Sequence, residues 1–196
     1  MHDEIQHSAI ALRERLNLLD EWPIVKGREF VVPHELLTRE IWDAIIVVAG
    51  GRNYNRYEDF VHWLELRLMK EDLVDLPRIV FVSGKASKGA DDMIIHWCKE
   101  NGFPWAEFPA DWDGLGRSAG YVRNTQMARV ATHLITFWDG ESRGTKHMID
   151  QGKKYQLTMT INLVEPDEDW LERIRKTSWQ ETEQLLKRLS TNGSRS

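Results

Sequence analysis

Short apolar runs alternate with amphipathic stretches through the middle of the chain. Ala44 to Ala49, AIIVVA, is rich in β-branched residues and is closed by Gly50 and Gly51, the pattern of a buried strand. Tyr57 to Leu73 sets Phe60, Val61, Leu64, Leu68 and Leu73 near one helical face, with polar residues between them. The alternation then repeats: strand Ile79 to Val82, helix Ala90 to Asn101 closed by Gly102, strand Trp105 to Phe108, helix Gly120 to Val130, strand His133 to Phe137, helix Gly144 to Lys153 and strand Gln156 to Leu163. Strands separated by helix-length connections pair in parallel through right-handed crossovers. Residues 43–163 are therefore expected to form an α/β domain built on a Rossmann-like, doubly wound parallel sheet.

Both ends read as additions to that unit. In residues 1–42, Glu4 to Leu19 carries Ile5, Ile10, Leu12, Leu16 and Leu19 in a helical pattern, suited to packing on the core or on a second subunit. Pro23 and Pro33 interrupt the stretch Trp22 to Trp42, which predicts short irregular structure. In residues 164–196, Pro166 and Asp167 open a helix along which Trp170, Ile174, Trp179, Leu185 and Leu189 recur, followed by a polar tail. These flanking helices offer apolar surface for self-association, and a homo-oligomer is expected.

Composition narrows the choice. A chain of 196 residues suits one domain with terminal additions. The net charge of −5 provides no overall field for nucleic acid or an anionic membrane, so nucleic acid is not expected as a partner. The single cysteine, Cys98, allows no internal disulfide, and the first residues lack a basic start followed by an apolar core; a cytoplasmic protein is expected. No apolar run approaches the roughly 20 residues that span a bilayer, which sets the membrane aside.

The chemistry gathers at the strand exits. In an open parallel sheet, ligands bind beyond the carboxyl ends of the strands, where glycine admits close approach and helix N-termini carry partial positive charge. The first exit supplies Gly50, Gly51, Arg52 and Tyr54. The second supplies Ser83, Gly84, Lys85, Ala86, Gly89 and Asp91. Asp111 and Trp112 follow the third strand, with Arg123 and Asn124 on the next helix, and Asp139, Gly140, Ser142, Gly144 and Thr145 follow the fourth. Taken singly, each has a plainer explanation. Glycines after strands form turns, lysines sit on solvated surfaces, and an acid favours a helix start. Four polar, glycine-bearing exits in succession are what point to a ligand. The P-loop and the ordered G-x-G-x-x-G are both missing, no His/Cys/Asp spacing suits a metal, and no serine has the surroundings of an activated nucleophile. No cofactor or metal is expected.

The segments GGRNY (Gly50 to Tyr54), SGKASKGAD (Ser83 to Asp91), PADW (Pro109 to Trp112), AGYVRN with Met127, and FWDGESRGT (Phe137 to Thr145) together resemble the YspA-like branch of the SLOG superfamily. That superfamily includes the DNA-processing protein Smf/DprA and the LOG enzymes, and the resemblance spans about residues 44–155. It implies a Rossmann-like domain that binds a nucleotide or a nucleotide-derived signal, such as an ADP-ribose derivative, to sense or sequester it in conflict between bacteria and viruses. In that picture the amides of Gly84 to Gly89 and Ser142 to Thr145 face phosphate oxygens, and Arg123 and Arg52 supply guanidinium groups. Asp111 or Asp139 accepts from ribose hydroxyls, and Tyr54 or Trp112 offers a face to the base.

The LOG comparison also separates the chain from its relatives. LOG enzymes keep a catalytic glutamate in a PGGxGTxxE loop; here GESRGTKHM puts Met148 at that place, and methionine holds no proton. LOG-type phosphoribohydrolase activity is not expected. The alternative to a binding protein is an N-glycosidase or hydrolase that uses a displaced carboxylate, with Glu141, Asp139, Asp111 and Asp113 as candidates; catalytic residues stay unassigned.

Overall fold

The computed structural model describes residues 30–73 and 76–164. The expected helices at 4–19 and beyond 166 lie outside these residues. A 3-10 turn at His34–Leu36 precedes β1 (Ala44–Gly50), α1 (Tyr57–Lys70), β2 (Ile79–Ser83), α2 (Ala90–Asn101) and β3 (Trp105–Glu107). There follow α3 (Trp112–Leu115), a second 3-10 turn at Gly116–Ser118, α4 (Ala119–Val130), β4 (His133–Trp138), α5 (Arg143–Lys154) and β5 (Thr158–Leu163).

The five strands form one sheet in the order β3-β2-β1-β4-β5, with every pairing parallel. Alternation along β1 sends Ala44, Ile46 and Val48 to one face, where they meet Phe60, Leu64 and Leu68 of α1 and Met93, Ile94 and Trp97 of α2. Ile45, Val47 and Ala49 go to the other face, with Met127 and Ala128 of α4, Met148 of α5, and Val32, Leu37, Ile41 and Trp42. Along β1, β2 and β4 both faces of the sheet are covered, which explains why these strands read as nearly continuous apolar runs, whereas the edge strand β5 alternates polar and apolar residues and stays partly exposed. The segment before β1 is irregular, and it serves the sheet: the Val32 N–H donates to the Trp105 carbonyl at 2.7 Å and the Trp105 N–H donates to the Phe30 carbonyl at 3.0 Å. Chain progression reverses between β1 and β4, so the crevice beyond their carboxyl ends is the topological switch point of the fold.

The helix ends follow local chemistry. α1 stops at Lys70, three residues before its apolar pattern ends; Asp72 takes φ 53°, and Leu73 tucks its buried side chain back under the helix while its N–H donates to the Leu68 carbonyl at 2.9 Å. α2 ends at Gly102, whose φ of 76° forms a left-handed cap. Among the described residues, no helix is long and apolar enough to cross a membrane.

Candidate functional site

The exits of β1, β2 and β4 meet at Gly51. A Cβ at Gly51 would lie 3.3 Å from Asp139 Oδ2 and 4.0 Å from the Ser142 side chain, both beyond β4. Gly89, beyond β2, packs against the Gly51 carbonyl, and a Cβ there would lie 2.9 Å from the Arg52 Cα. Its φ of 77° and ψ of −157° belong to a region that only glycine occupies comfortably. Gly50 is equally constrained: an added Cβ would lie 2.7 Å from the Phe137 carbonyl and 2.8 Å from the Ala90 Cβ. These glycines bring three turns together at the switch point.

The loop after β2 is fastened largely to itself. The Ser83 hydroxyl, fully buried, donates to the Asp91 carbonyl at 2.7 Å and accepts from the Lys85 N–H at 3.1 Å. The Ala86 N–H donates to Asp91 Oδ2 at 3.3 Å, so one amide assigned to phosphate is directed at the protein's own carboxylate. Lys85, at φ 51°, ion-pairs with Glu107 instead of facing the crevice. Asp91 is 7% exposed, and burial pushes its carboxyl above the usual range against the opposing pull of Arg123.

Arg123 is the clasp on this loop. Its Nη1 donates to the Gly84 carbonyl and, at 3.3 Å, to Asp91 Oδ2. Gly84 leaves room for that guanidinium, since a Cβ there would run into it and would also lie 2.8 Å from Asp91 Oδ2. Arg123 Nε is buried with no acceptor among the described residues. The expected free phosphate fork is therefore half committed to holding the β2 exit.

Beyond β4, Asp139 Oδ1 accepts from the N–H groups of Glu141 at 3.0 Å and Ser142 at 2.7 Å, and Gly140 completes the turn at φ 82°. Ser142 caps α5: its Oγ accepts from the Thr145 hydroxyl at 3.0 Å and lies 3.5 Å from the Thr145 N–H. Trp138 Nε1 donates to the Ser142 carbonyl at 3.3 Å and staples the loop. Gly144 lies exposed in the first turn of α5, with open space where a Cβ would be. Helix geometry leaves the first N–H groups of α5 without partners inside the helix.

Asn124 is buried and couples α4 to α5: its Nδ2 donates to the Gly144 carbonyl at 3.0 Å and lies 3.5 Å from His147 Nδ1. His147 did not figure among the expected residues; only its place one turn beyond Gly144 on α5 marked it. Burial lowers its pKa.

Two expected roles need correction. Tyr54 offers no base-binding face: it is buried, stacked on Phe137 with centroids 5.4 Å apart, and burial raises its phenol to about 12. Asp111 is exposed and caps α3 by accepting from the Gly114 N–H at 2.8 Å, so Oδ1 is taken by the helix. Trp112, half exposed, stands at the rim with Arg52 5.5 Å over its ring. Met148 is 1% exposed in the apolar layer beneath the sheet, so a glutamate at this place would face the core. Among the described residues, no cluster of three or more His, Cys, Asp or Glu side chains is placed to hold a metal.

A doubly wound parallel sheet with its glycine-bearing turns gathered over the β1/β4 crevice defines a Rossmann-like α/β domain. Residues 44–114 match the model of the YspA, cpYpsA-related SLOG family, which supports the resemblance of this part of the chain to the YspA-like branch of the SLOG superfamily. The Gene 61 protein of Mycobacterium phage D29 is 34% identical over 82 residues, which cover 39% of this chain and 65% of that protein. The chain thus spans just under two-thirds of that relative's length. Among solved structures, DNA processing protein A from Helicobacter pylori, described by its single-stranded DNA binding mode, aligns at 20% identity and a TM-score of 0.44 over 73% of this chain and 77% of that one.

The expectation against nucleic acid is corrected accordingly: a protein described as binding single-stranded DNA stands among the structures to which this chain is similar. The physical reason is that a net charge of −5 averages over the whole chain and does not set the potential of one rim, where Arg52 and Arg123 both act on Asp91.

Proposed function

We propose that the chain binds a nucleotide-type ligand in the crevice beyond β1 and β4, with a nucleotide-derived signal such as an ADP-ribose derivative as the ligand to be sensed or sequestered. The observation that carries this reading is the convergence on Gly51 of Gly89, Asp139 and Ser142 from two other strand exits. Gly51 leaves space in front of the Asp139 carboxylate, whose Oδ2 can accept from ribose hydroxyls. The first turn of α5 at Gly144 receives a phosphate. Arg52, and the part of the Arg123 guanidinium not bound to Gly84 and Asp91, supply positive charge. The match of residues 44–114 to the SLOG family model supports a nucleotide-related role. The phage origin of the Gene 61 protein supports a setting of conflict between bacteria and viruses.

Gly144→Glu provides the test. Nothing lies within 4 Å of a Cβ at this position, so the substitution leaves the packing intact, and a carboxylate in the first turn of a helix favours the fold. It also puts negative charge where the phosphate binds. Titration calorimetry with AMP, ADP, ADP-ribose and a single-stranded oligodeoxynucleotide is expected to show binding to the wild type, weakened at least about tenfold in G144E, the cost of one lost charge-assisted interaction. Equal affinity of the two proteins for the same nucleotide would exclude the α5 terminus from the site. Chromatography of the recovered nucleotide separates the two activities: intact ligand supports capture, whereas released base or ribose phosphate supports a hydrolase acting through Asp139.

A further inference from the structure

At the rim, Trp112 is a large aromatic side chain held in position while much of its surface stays in water. Trp112 is 50% exposed, yet it begins a helix held by the Asp111 cap, with the Gly114 N–H 2.8 Å from Asp111 Oδ1. Its ring edge rests on the first turn of α4, where a Cβ at Gly120 would stand 3.5 Å from Trp112 Cη2. From the β1 exit, the exposed Arg52 places its guanidinium 5.5 Å over the ring. Tyr54, the other aromatic side chain expected to face the base, is buried against Phe137 and has no such face.

We infer that Trp112 and Arg52 form the base-recognition subsite of the crevice, and that the ligand therefore carries a nucleobase and not a sugar phosphate alone. This rests on the nucleotide-binding reading above and adds to it the part of the ligand that is read. An indole face and a guanidinium plane are both protein surfaces on which a base stacks, and stacking tolerates any base because every base has a π face. Arg52 joins the two ends of such a ligand. Its backbone packs on Gly89 at the meeting point of the turns, its charge acts on Asp91, and its side chain reaches outward to the indole. A nucleotide lying from α5 toward α3 passes Arg52 between its phosphate and its base.

The test uses the full chain and titration calorimetry with AMP and ADP-ribose, alongside ribose 5-phosphate as the probe without a base. Trp112→Ala is expected to weaken nucleotide binding on the order of 10- to 100-fold, the range of one lost base stack, while Trp112→Phe retains most of the affinity. Ribose 5-phosphate is expected to bind more weakly than AMP to the wild type and equally to wild type and W112A. If the wild type binds AMP or ADP-ribose and W112A binds it as tightly, the inference is wrong and the crevice reading stands. If the wild type binds neither nucleotide, both fall. The exposed Leu115 and Tyr121 lie near Trp112 in the chain; if W112A leaves nucleotide affinity alone and shifts the sedimentation coefficient instead, the indole serves a protein contact and the inference is overturned.

Discussion

Gly89 is the residue on which the convergence of turns depends most directly. Its φ of 77° with ψ of −157° is closed to other residues, and the Cβ of an alanine would press on the backbone of Gly51 and Arg52, which cannot swing aside as a side-chain tip can. Gly89→Ala is expected to destabilise the domain by about 3 kcal/mol, combining backbone strain with overpacking, as read from the urea midpoint at unchanged slope. The sequence made Gly89 visible as a loop glycine before a helix, and Gly84 looked the same. Their reasons differ: Gly89 is required by its dihedrals and the backbone beside it, Gly84 by the Arg123 guanidinium. That second reason was not legible, because Arg123 and Gly84 are 39 positions apart and only the packing of α4 beside the β2 exit unites them. The same limit made Tyr54 read as a binding aromatic. Local sequence places it after a glycine pair but does not show that its ring turns inward onto Phe137.

At the scale of elements, β1, β2 and β4 were legible because they are buried on both faces and read as compact β-branched or aromatic runs, while β5, partly open to water, was legible from its alternation and its place after α5. The one-turn α3 and the 3-10 turn after it were not, since a glycine-rich stretch too short for a helical period carries no pattern. The α4–α5 seam illustrates how helices hold the site. Asn124 is buried between them with its amide on the Gly144 carbonyl, and Asn124→Ala is expected to cost about 1 kcal/mol through the lost bond. That loss is measurable by thermal or urea unfolding. His147, on the same seam, gives a pH signature. Burial lowers its pKa from the ordinary 6.5, so the native protein prefers the neutral ring and the unfolded chain takes up the proton first. Stability from this group is fully present above pH 6.5 and declines as pH falls through the lowered value. His133 acts in the same direction, also through burial. Melting temperatures recorded across this window should fall less steeply in His147→Gln than in the wild type. An unchanged slope would mean that the ring titrates as it does in the unfolded chain.

At the scale of the described domain as a whole, the sheet separates two apolar layers and the crevice proposed for the ligand lies at its rim, so a residue's layer decides whether it can reach that crevice. Met148 is the informative case. The comparison of motifs sets it where LOG enzymes carry their glutamate, and one would restore the carboxylate to recover turnover. Met148 instead lies with Ile45, Val47, Leu134 and Met127 in the layer on the α4 and α5 side, 1% exposed. A glutamate there would be buried without a partner of opposite charge, at a cost of several kcal/mol, out of a total stability of about 5–15 kcal/mol for a domain. Met148→Glu is therefore expected to lower the urea midpoint sharply at neutral pH and to recover part of the loss toward pH 5, where the carboxyl accepts a proton. It is expected to release no base from AMP. Base release by a folded M148E protein would mean that α5 can turn this position toward the rim. That result would make the missing glutamate, and not the geometry of the crevice, the sole reason for assigning capture over hydrolysis.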